Sequence, residues 1–95
     1  GLTRSLALEL AGSALTVNAI CPGFADTEII RESVARIVEK TGRTEAQALA
    51  SFTSTNPQGR LIAPEEVAAA ALWLISDAAR PVTGQAIAIA GGEVM

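Results

Sequence analysis

Apolar and polar positions follow three rhythms along this chain. In "GLTRSLALELAG", Leu2, Leu6 and Leu10 recur at helical spacing with Arg4 and Glu9 between them. That spacing predicts a helix ended by Gly12 in a left-handed conformation. Gly1 and Leu2 offer neither a cap nor a lead-in turn, so the expectation is a chain that starts part-way through a helix of a longer protein. "ALTVNAI" follows, short, partly β-branched and apolar on both faces, as in a strand covered by helices on two sides. Asn18 is its polar exception and needs a hydrogen-bond partner if buried.

Beyond "CPG" the period lengthens again. In "DTEIIRESVARIVEKTG", Ile30, Val34, Ile37 and Val38 form one helical stripe. Asp26 or Thr27 is placed to cap it, Glu28 suits its positive end, and Gly42 follows Lys40 at its close. "TEAQALASF" predicts a short helix with Thr44 and Gln47 at capping-box spacing. Polar "TSTNPQG" predicts a loop. "APEEVAAAALWLISD" sets Pro64 at the first helical position and two glutamates in the first turn, and its middle is apolar almost all round. "GQAIAIAGG" predicts a last short strand between glycines.

Two apolar strands separated by a long helical crossover imply a parallel pair with a right-handed connection. Such a pair cannot cover its own faces. The expected fold class is therefore α/β: the C-terminal part of a doubly wound Rossmann-type parallel sheet, with about two strands and four helices present. Residues 1–95 read as one piece of a single domain, with no repeat and no linker.

Composition narrows the chemistry. Hydrophobic residues make up 49%, yet many are alanine and only three residues are aromatic, which favours close packing within a larger body. Net charge is −3, with seven scattered Lys and Arg, so neither nucleic acid nor an anionic membrane is expected as a partner. One cysteine, Cys21, fits a reducing cytoplasm and reads as a small buried hydrophobe. His and Tyr are absent, which leaves no Ser-His-Asp or Cys-His group and no His-based metal site in these residues. No metal is expected, and a hydrolase reading fails for want of a nucleophile elbow.

The segments "GLTRSLALELA", "VNAICPGFADTE", "NPQGRLIAPEEVAAAALWLISDAA" and "TGQAIAIAGG", in that order and spacing, resemble the short-chain dehydrogenase/reductase family over the whole chain. The resemblance implies a Rossmann-fold oxidoreductase that moves hydride between NAD or NADP and a carbonyl or secondary alcohol. It also implies that the glycine-rich dinucleotide loop and the catalytic Ser, Tyr and Lys lie upstream. No catalytic residue is then expected in these 95, which alone should be inactive. By position in the family's Pro-Gly motif, Pro22 and Gly23 form the turn beside the nicotinamide, Ala25 offers main-chain groups to the carboxamide, and Thr27 offers its hydroxyl. A plain reading stays open, in which Pro22-Gly23 is only a tight turn and Thr27 only a cap. Residues 28–55 correspond to the substrate lid, with Ile29, Ile30, Val34 and Phe52 facing an apolar substrate or, equally, packing helix on helix. Broadly, that apolar lid suits 3-hydroxyacyl or other hydrophobic alcohols better than charged sugars.

The family also implies a homo-oligomer, dimer or tetramer, through residues 64–77 and 85–92. Gly91-Gly92 closes the last strand, and most members carry Asp where this chain has Ala90. The alternative from another class is an inert fragment or a free-standing interaction module derived from the same fold.

Overall fold

The computed structural model describes residues 1–93. Its elements run α1 (Leu2–Leu10), β1 (Ala19–Pro22), α2 (Glu28–Thr41), α3 (Glu45–Thr53), α4 (Pro64–Leu74), a 3-10 turn (Asp77–Ala79) and β2 (Ala86–Ile89). The strands form a two-stranded parallel sheet, with Ala19 opposite Ala86 and Pro22 opposite Ile89. This is the α/β arrangement with a helical crossover that the pattern implies.

The end of α1, the start of β1 and the burial of Cys21 differ from the pattern. Helix α1 ends at Leu10 without a left-handed glycine cap: Ala11 remains right-handed, Gly12 is not left-handed, and Ser13 bonds back to the Leu10 carbonyl through its amide and its hydroxyl. Strand β1 starts at Ala19 rather than Ala14 and runs on through Cys21 and Pro22. Side chains take over ahead of it. The Val17 amide donates to Thr83 Oγ1 at 3.0 Å, Asn18 Nδ2 donates to the Val82 carbonyl at 3.0 Å, and the Gln85 amide donates to Asn18 Oδ1 at 3.1 Å. Asn18 thus finds the partners its place demands and ties the entry of β1 to the entry of β2. Truncating it in Asn18→Ala leaves one carbonyl and one amide without partners. The expected loss is about 1–3 kcal/mol of stability, read from the denaturant midpoint. Cys21, finally, is half-buried rather than buried.

The other helix starts follow their sequence signals, while α4 ends at Leu74 rather than running through Asp77, which opens the 3-10 turn. Thr27 caps α2, Gly42 ends it at φ 69°, and Thr44 with Gln47 completes a reciprocal capping box on α3. At α4, Ala63 has no side-chain acceptor, so only the returning half of the box forms: Glu66 Oε1 accepts the Ala63 amide at 2.8 Å. Arg60 also donates two bonds to the Glu66 carboxylate, at 2.6 and 2.8 Å. Held by the Arg60 guanidinium and the Ala63 amide, Glu66 has its pKa lowered from 4.5 to about 2. A depressed folded value means that this exposed tie is fully present above pH 4.5 and is lost as the pH falls towards 2. A carboxyl NMR titration of Glu66 should show a midpoint near 2; a midpoint near 4.5 would contradict the tie.

Among the described residues the buried apolar side chains are few and, Ile62 and Val34 apart, all alanine: Ala7, Val34, Ala48, Ile62, Ala79 and Ala90. The radius of gyration is 17.1 Å, against the roughly 12 Å expected of a compact chain of this length. Helix α4 buries none of its side chains fully, and Leu72, Trp73 and Ile75 stand exposed, the last at 81%. An uncovered apolar face of this kind is the mark of a surface that packs against other protein.

Candidate functional site

Both strands end at the same edge of the sheet, so the turn after β1 and the glycines after β2 lie side by side. The Ala19 and Gly23 amides donate to the Gln85 and Ile89 carbonyls at 2.8 and 3.0 Å. Alternation along the strand then turns the nitrogen of Pro22 away from β2, where its missing N–H breaks no ladder bond. Gly23 is required by close approach rather than by backbone angle. A Cβ there would stand 3.1 Å from the Ala90 Cβ and 3.2 Å from the Ala90 Cα. Ala90 is itself buried.

Past Gly23 the chain pairs a second time. Ala25 and Ile62 form an isolated parallel bridge: the Ile62 amide donates to the Phe24 carbonyl at 2.9 Å, and the Asp26 amide donates to the Ile62 carbonyl at 2.8 Å. Ile62 spends both of its backbone groups in this bridge, so those of Ala25 face the other way. The Ala25 carbonyl accepts the Thr27 amide at 2.9 Å. The Ala25 amide has no acceptor among the described residues. Thr27 Oγ1 accepts a long bond, 3.5 Å, from the Ile30 amide, and its hydroxyl proton likewise has no acceptor among the described residues.

Two uncommitted donors, a main-chain N–H and a hydroxyl, therefore stand two residues apart where a strand's carboxyl end hands over to a helix N-terminus. Such a place suits a carbonyl, amide or phosphate oxygen. Asp26 does not oppose this as a free charge. Arg31 holds it in a two-pronged pair at 2.7 and 2.8 Å, and the hydrogen bonds from that guanidinium keep its carboxyl below the ordinary range.

The lid residues separate. Phe52 comes to the turn, its ring edge-on to Phe24 with centroids 5.2 Å apart. Val34 is 4% exposed and Ile30 half-buried on the stripe of α2, the helix that packs on α3. Ile29 is 72% exposed. So Val34 serves helix packing, while Phe52 and Ile29 keep surfaces that a ligand could reach. Phe24 and Asn56 escape a reading by periodicity, because neither sits in a helix or strand. The "NP" dipeptide of the 54–59 loop was the only signal for Asn56.

A groove of about 490 Å³ opens elsewhere, between the 11–16 segment and Leu74–Arg80, and shares no residue with the turn. Its lining precedes both strands, at the amino edge of the sheet. No cluster of His, Cys, Asp or Glu suited to a metal occurs among the described residues, and no helix among them is long and apolar enough to cross a membrane.

Parallel strands, helical crossovers and a glycine-lined turn at the carboxyl edge define the class of doubly wound α/β proteins that bind ligands at that edge. A family model described as enoyl-(acyl carrier protein) reductase matches residues 1–93. The chain belongs to the short-chain dehydrogenase/reductase family. It is 41% identical over 93 residues to the acetoacetyl-CoA reductase of Rhizobium meliloti, covering 98% of this chain and 34% of that protein. To the 3beta-hydroxysteroid dehydrogenase 1 of Eggerthella lenta it is 43% identical over 94 residues, covering 99% and 33%. Among solved structures, an actinorhodin polyketide ketoreductase with NADPH superposes with a TM-score of 0.79 at 36% identity, covering 97% of this chain and 35% of that one. The chain thus spans about a third of the length of the relatives it matches.

Proposed function

We propose that this chain is the C-terminal part of an NAD(P)-dependent oxidoreductase that interconverts a carbonyl and a secondary alcohol, and that it supplies the nicotinamide shelf and the substrate lid. The observation that carries the reading is the pair of uncommitted donors on Ala25 and Thr27, set on the Pro22-Gly23 turn at the carboxyl edge of a sheet of this family. They fit the carboxamide oxygen of a nicotinamide.

When bound, the cofactor supplies or accepts hydride at its ring carbon. The residues of this chain have the task of fixing that ring. Gly23 lets the turn sit down on Ala90, which sets the height of the shelf. The Ala25 amide and Thr27 hydroxyl orient the carboxamide, and with it the ring face presented to the substrate. Phe24 and Phe52, with Ile29, form the apolar wall that keeps water from the reacting carbon. Proton transfer falls to the Tyr, Lys and Ser that the family places upstream, since these 95 residues include no Tyr. The names of its relatives, acetoacetyl-CoA reductase and polyketide ketoreductase among them, favour a 3-oxoacyl substrate class. Subunit contacts through 64–77 and 85–92, and a cytoplasmic setting compatible with a single cysteine, belong to the same proposal.

The test uses the full-length polypeptide that carries this chain, assayed with NADH and with NADPH on acetoacetyl-CoA. Cofactor-dependent turnover is expected. Thr27→Val, which keeps the shape and removes the hydroxyl, should raise the cofactor Kd about tenfold, the worth of one hydrogen bond at this kind of site. An unchanged Kd would return Thr27 to the role of a plain cap. The uncovered face of α4 favours a second reading, an interaction module without turnover; binding of a second subunit with no cofactor affinity would support it.

A further inference from the structure

Asn56 lies in the polar loop after α3, yet it is buried, and every polar atom of its side chain is used. Its Nδ2 donates to the Arg60 carbonyl at 2.8 Å, and its Oδ1 accepts the Gln58 amide at 2.8 Å. The same Gln58 amide also donates to the Gly91 carbonyl at 3.1 Å. Gly91 is left-handed, at φ 64°, and the Asn56 side chain fills the space beside it so fully that a Cβ on residue 91 would stand 2.1 Å from Oδ1. Pro57 rests on Gly92 in the same way, 3.3 Å from where its Cβ would be. Thr55 adds a hydroxyl bond to the Glu93 carboxylate.

This knot has a consequence for the lid. Helices α2 and α3 leave the sheet by one stem, residues 24–27, and return by another, residues 54–62. The two stems are joined by the Ala25–Ile62 bridge, and the Phe24–Phe52 ring contact ties the outgoing stem to the end of α3. The outgoing stem rests on Ala90 through Gly23. The returning stem is fastened to the next two residues of the chain, Gly91 and Gly92, through Asn56 and Pro57. The three residues that follow β2, Ala90, Gly91 and Gly92, therefore carry both feet of the lid.

We propose that Asn56 is a positioning residue for the lid: by locking the returning stem to Gly91, it sets where Phe52 stands over the nicotinamide shelf. It touches neither cofactor nor substrate. This rests on the oxidoreductase reading, but the clamp is measurable apart from it.

The experiment compares the full-length polypeptide with Asn56→Ala and Asn56→Asp. Asparagine to aspartate keeps the volume and the acceptor for Gln58 but loses the donor to Arg60. Hydrogen exchange followed by mass spectrometry reads the clamp. Peptides over 24–27 and 54–62 should exchange at least tenfold faster in Asn56→Ala, with the peptide over α4 unchanged. Steady-state kinetics with NADPH and acetoacetyl-CoA read the positioning: KM for the acyl substrate should rise about tenfold, with Kd for NADPH within twofold of the wild type. Asn56→Asp should fall between, and it carries the test if Asn56→Ala does not fold. Unchanged exchange in both variants overturns the clamp. Faster exchange with an unchanged KM overturns the positioning role. An inactive wild type overturns the oxidoreductase reading and the positioning role with it, while the exchange data still decide the clamp.

Discussion

Gly91→Ala is expected to be the most damaging single-methyl change in this chain, costing about 2–5 kcal/mol. Two effects act together. A left-handed backbone at φ 64° costs an alanine about 1–2 kcal/mol, and the added Cβ, 2.1 Å from Asn56 Oδ1, forces a repacking worth about 1–3 kcal/mol. The steric part belongs to a single neighbour, so it has a specific remedy. In Gly91→Ala combined with Asn56→Ala, the obstructing side chain is gone and only the backbone part of the Gly91→Ala cost should remain. The double variant should then be less destabilised than the two single variants together, by about the overpacking share. Denaturant unfolding of the full-length polypeptide measures all three. Strict additivity would show that Asn56 and Gly91 are not packed as described.

Gly23→Val is the second large effect, and it is of a different kind. Gly23 has no positive φ to protect, so its replacement is opposed by space alone. The new Cβ meets the Ala90 Cβ at 3.1 Å and backbone at 3.2 Å, and a buried Ala90 has nowhere to retreat. The turn must lift off β2 by a few tenths of an ångström or more, at about 1–3 kcal/mol. Because Ala25 follows two residues later, the shelf lifts with it, and NADPH affinity should fall tenfold or more. Gly23→Ala should show the same direction at smaller size. Thermal unfolding together with an NADPH titration separates the two losses. Lost stability with unchanged NADPH affinity would mean that the turn does not bear on the cofactor.

How much of this was legible beforehand depends on which interaction fixes each residue. Both ends of α2 and the start of α3 were readable, because their caps are local: Thr27, Gly42, Thr44 and Gln47 act within four residues of what they cap. The parallel pairing was readable because two apolar runs flank a long helical stretch. The start of β1 was not. Residues 14–18 read like a buried strand, but Val17 and Asn18 find their partners in the Thr83 hydroxyl, the Val82 carbonyl and the Gln85 amide, more than 60 residues away in sequence. Gly12 misled for a related reason, since the Ser13 hydroxyl closes α1 without a left-handed residue.

At the site, the Pro-Gly turn announced itself, while the reason for Gly23 did not. The sequence suggests a backbone drawn close to a ligand; the close approach actually seen is to Ala90, at the end of the other strand. Gly23 and Asn56 are distant in sequence from Ala90 and Gly91 and meet them only in three dimensions, so no spacing rule links them. Val34 and Ile29 had equal standing as lid residues, five residues apart. Packing against α3 buried one and left the other open.

The central claim is that residues 22–27 form the nicotinamide shelf. Hydrogen exchange of the full-length polypeptide, with and without saturating NADPH or NADH, tests it most directly. The account predicts that the cofactor protects the amide of Ala25 and its neighbours through Thr27, with little change at the 11–16 groove. Cofactor binding that protects other segments and leaves 22–27 untouched would contradict it.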